Sequence, residues 1–189
     1  KQSRLSFSSS TSTTSSSSHI FVDLDGVLVD FEAGVRKLFH GRNPESITPR
    51  ELWPTLARTP DFYANLPWMS DGKLLWQKLL DAGHKPTILT GLPIGKWAEP
   101  QKRKWCFEQL SLMSKRVITC KSKEKHLHAS TGSILIDDRI SLKQAWIHAG
   151  GFFIHHTSTN ETLKVLREMD LLNAISKEKD GKDHGDEKE

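Results

Sequence analysis

The chain of 189 residues is long enough for one domain with a hydrophobic core and hardly long enough for two. Its net charge of +4 is too small to indicate a nucleic-acid-binding protein by itself, although it suits a polyanionic substrate such as a phosphate ester. Because no apolar run approaches the roughly 20 residues of a membrane span, we expect a soluble protein. The two cysteines, Cys106 and Cys120, make no disulfide framework and match no zinc-ligand spacing, which favours an intracellular, reducing compartment.

Both ends of the chain differ in composition from its centre. Residues 1–18 are rich in Ser and Thr and hold no acidic residue, so they cannot bury enough apolar surface to offset the entropy of ordering. We expect this segment to be disordered, either as the remnant of an organellar transit peptide or as a linker, which leaves the cytoplasm and an organelle both open. Residues 175–189 form a charged tail that we also expect to be disordered. The folded domain is therefore predicted to span residues 19–174.

Inside this domain, short apolar runs of strand length alternate with stretches of helical periodicity. The runs are continuously apolar or β-branched, as expected for strands that are buried on both faces of a parallel sheet. They predict strands at residues 20–22, 87–89, 117–119, 134–136 and 152–154. One of the helical stretches has Ser141 at the N-cap position and Gly150 just after its C-terminus. The alternation predicts a three-layer, Rossmann-like α/β domain with a parallel sheet.

Polar side chains follow three of these strands at the point where each strand ends. Asp23 and Asp25 follow the first strand, Thr90 follows the second, and Asp137 and Asp138 follow the fourth. Ligands of such sheets bind at the carboxyl ends of the strands. One carboxylate beyond a strand is usually a helix cap, but a set that meets at one sheet edge indicates a functional site.

The first pair of carboxylates indicates a metal-dependent reaction. Asp23 and Asp25 are separated by one residue, so they can lie together where the strand ends. One carboxylate can then attack a substrate as a nucleophile while the other transfers a proton. They repel each other unless a cation lies between them. Oxygen ligands favour Mg²⁺, which also binds phosphate oxygens. The alternatives are a simple turn or a Ca²⁺ loop of the EF-hand kind, but the latter needs further carboxylates downstream and a helix upstream.

Three segments resemble motifs of the haloacid dehalogenase (HAD) superfamily. Residues 23–28 resemble the first motif, residues 88–91 the second, and residues 135–139 the fourth, with matching order over residues 20–156. The resemblance implies a HAD-type phosphatase with a small helical cap at about residues 31–73. It also implies that Asp23 is the nucleophile and that Asp25 is the general acid and base.

Within the superfamily, the chain is similar to the 5′(3′)-deoxyribonucleotidases and their uncharacterised relatives. The similarity lies in residues 25–32, 62–67 and 135–139 and in the pair Lys102 and Trp105. It implies a nucleoside monophosphate as substrate, with Phe31, Gly91 and Lys102 as substrate-binding residues. Gly91 stands where those nucleotidases have a serine, and the third motif is longer than theirs. These departures leave open a phosphatase of another small phosphoester or of nucleic-acid ends, or a HAD-fold domain that only binds.

The third motif of the superfamily supplies one lysine, for which this chain offers Lys121, Lys123 and Lys125. We favour Lys125 because it opens the run that leads into the strand at residues 134–136. The resemblance implies that Asp23, the main-chain carbonyl of Asp25 and the acidic pair Asp137 and Asp138 hold Mg²⁺. It also implies that Thr90 and Lys125 stabilise the charge of the phosphate.

Overall fold

The structure is a computed structural model that describes residues 18–172. The two ends for which we expect disorder, residues 1–18 and 175–189, lie outside the described residues except for residue 18, and so do residues 173–174 of the predicted domain. Within the described range, no helix is both long and apolar enough to cross a membrane.

A five-stranded parallel sheet forms the centre of the domain, which confirms the predicted α/β architecture. The strands lie side by side in the order β3-β2-β1-β4-β5. Their bounds are β1 Ile20–Val22, β2 Thr87–Gly91, β3 Val117–Cys120, β4 Ile134–Asp137 and β5 Phe152–His155. After β1, each strand runs one or two residues further than the apolar pattern indicates, so Thr90 and Asp137 belong to strand ends rather than to loops.

Six α-helices surround the sheet within residues 18–172. Their bounds are α1 Phe31–Leu38, α2 Pro49–Arg58, α3 Gly72–Asp81, α4 Ala98–Leu110, α5 Lys143–His148 and α6 Thr159–Glu168. Capping hydrogen bonds from side chains determine where three of these helices begin. The side chains of Asp30, Thr48 and Ser158 each accept a hydrogen bond from a main-chain N–H of the first turn, at the N-termini of α1, α2 and α6.

Alternate residues of each strand are buried on opposite faces of the sheet. Helices cover both faces, so the domain has three layers. On one face, Val22 and Ile88 pack in a large core with side chains of α3, α4 and α6. On the other face, Phe21 and Leu135 pack in a smaller core against Trp146 of α5.

The helix that follows β4 begins later than its sequence indicates. Ser141 lies in a 3₁₀ turn at Ile140–Leu142, and Leu142 is the N-cap of α5, without a side-chain capping bond. The expected N-cap role of Ser141 is therefore wrong, because the 3₁₀ turn displaces the start of the helix. Gly150 does follow the C-terminus, with φ of +90°, a conformation that glycine adopts without steric cost.

The segment between β1 and α3 contains α1, α2 and a 3₁₀ turn at Tyr63–Asn65, and it corresponds to most of the expected cap. Its residues 63–68 are anchored to α4 by three hydrogen bonds, one of which Nε1 of Trp68 donates to Oε1 of Gln109 at 2.9 Å. The main-chain N–H of Tyr63 donates to Oε1 of Gln101 at 2.8 Å, and Nε1 of Trp105 donates to the carbonyl of Leu66 at 2.9 Å. These bonds hold the segment beside the carboxyl ends of β1 and β2.

Candidate active site

Asp23 lies directly after β1, the central strand, and is almost fully buried, with 4% of its surface exposed. Its main-chain N–H donates to the carbonyl of Ile136 at 2.9 Å, which ties the end of β1 to β4. Its Oδ1 accepts hydrogen bonds from the N–H of Leu24 at 2.7 Å and from Nζ of Lys125 at 2.8 Å. The carboxylate is thus fixed in place by two donors on one oxygen.

The structure separates the three candidate lysines of the third motif. Lys125 is 1% exposed, and its ammonium also donates to Oδ2 of Asp137 at 2.6 Å. Burial works against a charged Lys125, but the carboxylates of Asp23 and Asp137 outweigh it and raise the lysine pKa above its ordinary value. Lys121 and Lys123 are exposed, and Lys121 pairs with Glu124 at 3.5 Å.

Three carboxylates converge at the ends of β1 and β4. One oxygen each of Asp23, Asp137 and Asp138 lies within 4.8 Å of the others. Burial, and then the negative charge of Asp23, raise the pKa values of both Asp137 and Asp138. Within residues 18–172, Oδ1 of Asp138 is buried without a hydrogen-bond partner. A hard divalent cation would relieve this repulsion and satisfy that oxygen, so the cluster fits a Mg²⁺ site.

Asp25 is held apart from this cluster by a second buried lysine. Nζ of Lys102, in α4, donates to Oδ2 of Asp25 at 2.5 Å, to Oγ1 of Thr90 at 3.0 Å and to the carbonyl of Gly91 at 2.9 Å. The same ammonium lies 4.6 Å from the centroid of the Tyr63 ring, within cation–π range. Lys102 is fully buried, so it orients Asp25 and Thr90 from behind.

The second oxygen of Asp25 remains available. Within the described part of the chain, Oδ1 of Asp25 is a buried atom without a hydrogen-bond partner. Asp25 also lines a small cleft of about 160 Å³, together with Phe31, Tyr63, Gly91, Ser122 and other residues. An acceptor that is held on one oxygen and free on the other suits proton transfer to a molecule in this cleft.

Ser122 and Arg139 belong to the same cleft, although neither is a site residue predicted from the sequence. Oγ of Ser122 accepts a hydrogen bond from Nη1 of Arg139 at 3.1 Å, so its own proton is free to be donated. A Cβ atom at position 91 would collide with this Oγ, so Gly91 and Ser122 share one space. Ser122 follows the end of β3 by two residues. It is thus a polar residue just after a strand, the same pattern that identifies Asp25 as a candidate.

Phe31 lies at the boundary between the site and the helices of the expected cap. Its ring is 6.0 Å from that of Tyr63, 5.8 Å from that of Phe62 and 6.2 Å from that of Trp53, measured between centroids. Phe31, Trp53 and Tyr63 all line the cleft beside Asp25. The aromatic residues of this segment therefore pack against each other and also form one wall of the cleft.

No protein-family model matches this chain, and no curated protein matches it. Solved structures of HAD family hydrolases do match. A HAD family hydrolase from Deinococcus radiodurans, with bound phosphate and sodium, is 15% identical over 82% of this chain and 97% of that chain, with a TM-score of 0.41. A hydrolase from Streptococcus pneumoniae is 15% identical over 81% and 98% of the two chains, with a TM-score of 0.48. The HAD domain of an effector protein from Legionella pneumophila is 13% identical over 84% and 97%, with a TM-score of 0.46.

The fold and the site define an α/β protein with a carboxylate cluster and two buried lysines at the carboxyl edge of a parallel sheet.

Proposed function

We propose that this chain is a Mg²⁺-dependent phosphomonoesterase of the HAD type, which forms an aspartyl-phosphate on Asp23 and acts on nucleoside monophosphates. The observation that carries the proposal is the environment of Asp23. It is a buried carboxylate at the end of the central strand, paired with a buried lysine and clustered with two further carboxylates. A purely structural aspartate does not need this surplus of negative charge, which burial makes costly.

Two of the clustered carboxylates are suited to hold the metal directly. Oδ2 of Asp137 accepts from Lys125, and its Oδ1 accepts from the N–H of Arg139 at 2.9 Å, so both of its oxygens are engaged. We therefore assign the direct ligands to Asp23, Asp138 and the main-chain carbonyl of Asp25, and we assign to Asp137 the orientation of Lys125. When bound, Mg²⁺ would neutralise phosphate charge and orient the phosphate toward the nucleophile.

The proposed reaction has two steps. In the first, Oδ2 of Asp23 attacks phosphorus, because Oδ1 is held by two donors. A bond forms between this oxygen and phosphorus, the bond to the substrate alkoxide breaks, and Oδ1 of Asp25 gives that alkoxide a proton. In the second step, Asp25 takes a proton from a water molecule that attacks the aspartyl-phosphate. Inorganic phosphate leaves and Asp23 is regenerated.

Hydroxyl and ammonium donors around the cleft stabilise the charge of the transferring phosphate. The oxygen of Thr90 accepts from Lys102, and that of Ser122 accepts from Arg139, so both hydroxyl protons are free for phosphate oxygens. Lys125 adds a positive charge beside the nucleophile. Donors that are fixed before the reaction cost no reorganisation when charge develops.

The nucleotide part of the proposal is supported by the aromatic wall of the cleft. Phe31, Trp53 and Tyr63 present ring surfaces beside Asp25, and a planar base can stack on such surfaces. The similarity of residues 25–32 to the deoxyribonucleotidases points in the same direction.

A phosphatase assay with a panel of phosphomonoesters tests this function. We expect phosphate release with Mg²⁺, loss of activity with EDTA, recovery with Mg²⁺ and poor activity with Ca²⁺, whose looser coordination misplaces the phosphate. Asp23→Asn should abolish turnover because it removes the nucleophile, while Glu168→Gln, a change at an exposed acid on α6, should not. An Asp23→Asn protein that keeps more than a few per cent of the activity contradicts the aspartyl-phosphate mechanism, and full activity in metal-free buffer contradicts the metal site.

A further inference from the structure

A second, larger groove opens beside the cleft that holds Asp25. Its volume is about 660 Å³, and its walls come from α2, from the loop after β2 and from the turn after β3. The residues that matter for its chemistry are Trp53, Pro93, Ile94, Trp97, Lys121 and Lys123. The nucleotidase proposal uses none of them except Trp53, which lines both cavities.

We propose that this groove binds single-stranded nucleic acid and presents its terminal phosphate to Asp23. The inference rests on the proposed phosphatase function and specifies its substrate class: a phosphorylated oligonucleotide end in addition to the mononucleotide. The aromatic surface of the groove, its charge and its position beside the cleft support this proposal.

The aromatic surfaces of the groove are held in place from behind. The Trp97 ring packs 5.4 Å from the Tyr63 ring, and its Nε1 donates to the carbonyl of Ile94 at 3.2 Å. The Trp53 ring packs 6.2 Å from the Phe31 ring and remains 40% exposed. Nucleobases stack on such rings irrespective of sequence, because every base has a π-face. Two indoles that are already fixed offer this stacking at a low entropic cost.

The charge of the groove favours an anion. Lys121 and Lys123 are the charged residues among those that line it, and both are exposed. Glu124, the acid that pairs with Lys121 at 3.5 Å, is not among the lining residues. An apolar peptide would use the fully exposed Ile94 but not these two cations. A strand of nucleic acid uses both kinds of surface, since its bases and phosphates alternate.

The groove is continuous with the proposed site of chemistry. Trp53, Leu92, Pro93 and Ser122 line both cavities. Ser122 is the residue whose free hydroxyl faces the phosphate in the proposed reaction. A chain that leaves the cleft from beside Asp25 and Ser122 therefore enters the groove directly.

Phosphate release from a mononucleotide and from an octathymidylate with a terminal phosphate tests the proposal. We expect kcat/KM for the octamer to exceed that for thymidine monophosphate by at least roughly tenfold at low salt. This advantage should fall as salt rises, because phosphate contacts release counterions. The double change Lys121→Glu and Lys123→Glu should remove the advantage and leave thymidine monophosphate hydrolysis unchanged. The matched control is the double change Lys78→Glu and Lys115→Glu, since these two exposed lysines precede β2 and β3, away from the carboxyl ends of the strands.

A binding measurement separates failure of the groove from failure of the phosphatase. Fluorescein-labelled octathymidylate is titrated into the Asp23→Asn protein, which cannot turn over, and fluorescence anisotropy is read. Weaker binding after the double lysine change supports the groove, even if no phosphoester is hydrolysed. Equal binding before and after that change overturns it, as does equal kcat/KM for octamer and mononucleotide. An acidic peptide that displaces the oligonucleotide at lower concentration also overturns it, in favour of a protein partner.

Discussion

Replacing Lys125 by methionine tests the electrostatic centre of the site. Lys125 is buried, and its ammonium lies 2.8 Å from Asp23 and 2.6 Å from Asp137. Methionine keeps most of the volume of the side chain and removes its charge. The substitution therefore leaves two buried carboxylates without their cation, beside the third carboxylate, Asp138.

The cost of this change to stability follows from the burial of the partners. Removing one member of a buried ion pair destabilises a protein by about 3–5 kcal/mol. In a domain of this size, a loss of about 1 kcal/mol in the free energy of unfolding lowers Tm by roughly 2–4 °C. Lys125→Met should therefore lower Tm by roughly 10 °C in EDTA. Mg²⁺ supplies the missing positive charge, so it should raise the Tm of the variant more than that of the wild type. A ligand that is present at a hundred times its Kd adds about 2.7 kcal/mol to the free energy of unfolding.

The loss of stability should also depend on pH in metal-free buffer. Burial, followed by the charge of Asp23, raises the pKa of Asp137, and the charge of Lys125 opposes this rise. Without Lys125 the pKa of Asp137 rises further above its unfolded value. A carboxyl group whose pKa is raised by folding loses stability as pH rises through the range between its two pKa values. The difference in Tm between wild type and Lys125→Met should therefore be larger at pH 8 than at pH 5.

Thermal denaturation and phosphatase assays check these expectations on one set of proteins. Activity of Lys125→Met should fall at least about a hundredfold, the scale of losing one charge-stabilising donor. Lys123→Met, a change at the exposed neighbour on the same turn, should retain both Tm and activity on mononucleotides. If Lys125→Met keeps the wild-type Tm in EDTA, or if Lys123→Met loses as much activity, our assignment of the buried cation is wrong.

Two further predictions concern the walls of the cleft. Phe31→Ala should remove most of an expected tenfold preference, about 1.4 kcal/mol, for nucleoside monophosphates over p-nitrophenyl phosphate, and should barely change kcat/KM for the latter. If Phe31→Ala keeps the preference for nucleoside monophosphates, the base binds to another surface. Gly91→Ser and Ser122→Gly should each lower kcat/KM at least about tenfold, the first by collision and the second by loss of a hydroxyl. The double variant should recover activity because its hydroxyl returns to the same space, and a double variant as poor as the worse single one refutes this exchange.

Much of the fold could be predicted from sequence because its strands are buried on both faces. A strand such as β4, with every residue buried, reads as an unbroken apolar run, and its end is marked by the first charged residue. The same feature locates Asp23 and Asp137 at the carboxyl edge. The sequence does not indicate the later start of α5, because Ser141 has the chemistry of a cap, while the 3₁₀ turn that precludes this role depends on tertiary packing.

The partners of the site residues depend on contacts between distant parts of the chain. Lys102 reaches Asp25 across 77 positions, from a helix whose apolar pattern shows only that it packs on the sheet. The choice between Lys123 and Lys125 depends on which side of a 3₁₀ turn, at Ser122–His128, faces the sheet. Residue type and spacing identify such lysines as candidates, and only the packing decides which one is buried.

The carboxylates of Asp23 and Asp25 have different surroundings because each pairs with a different lysine. Asp23, one of the three clustered carboxylates, pairs with Lys125, which enters from the turn after β3. Asp25 pairs with Lys102, which enters from α4 and also holds Thr90. Each lysine fixes one oxygen of its aspartate, and in Asp25 the other oxygen is buried without a partner beside the cleft. Packing therefore gives two identical side chains, only two positions apart, separate cations, and the proposed mechanism uses this difference to make one the nucleophile and the other the proton carrier.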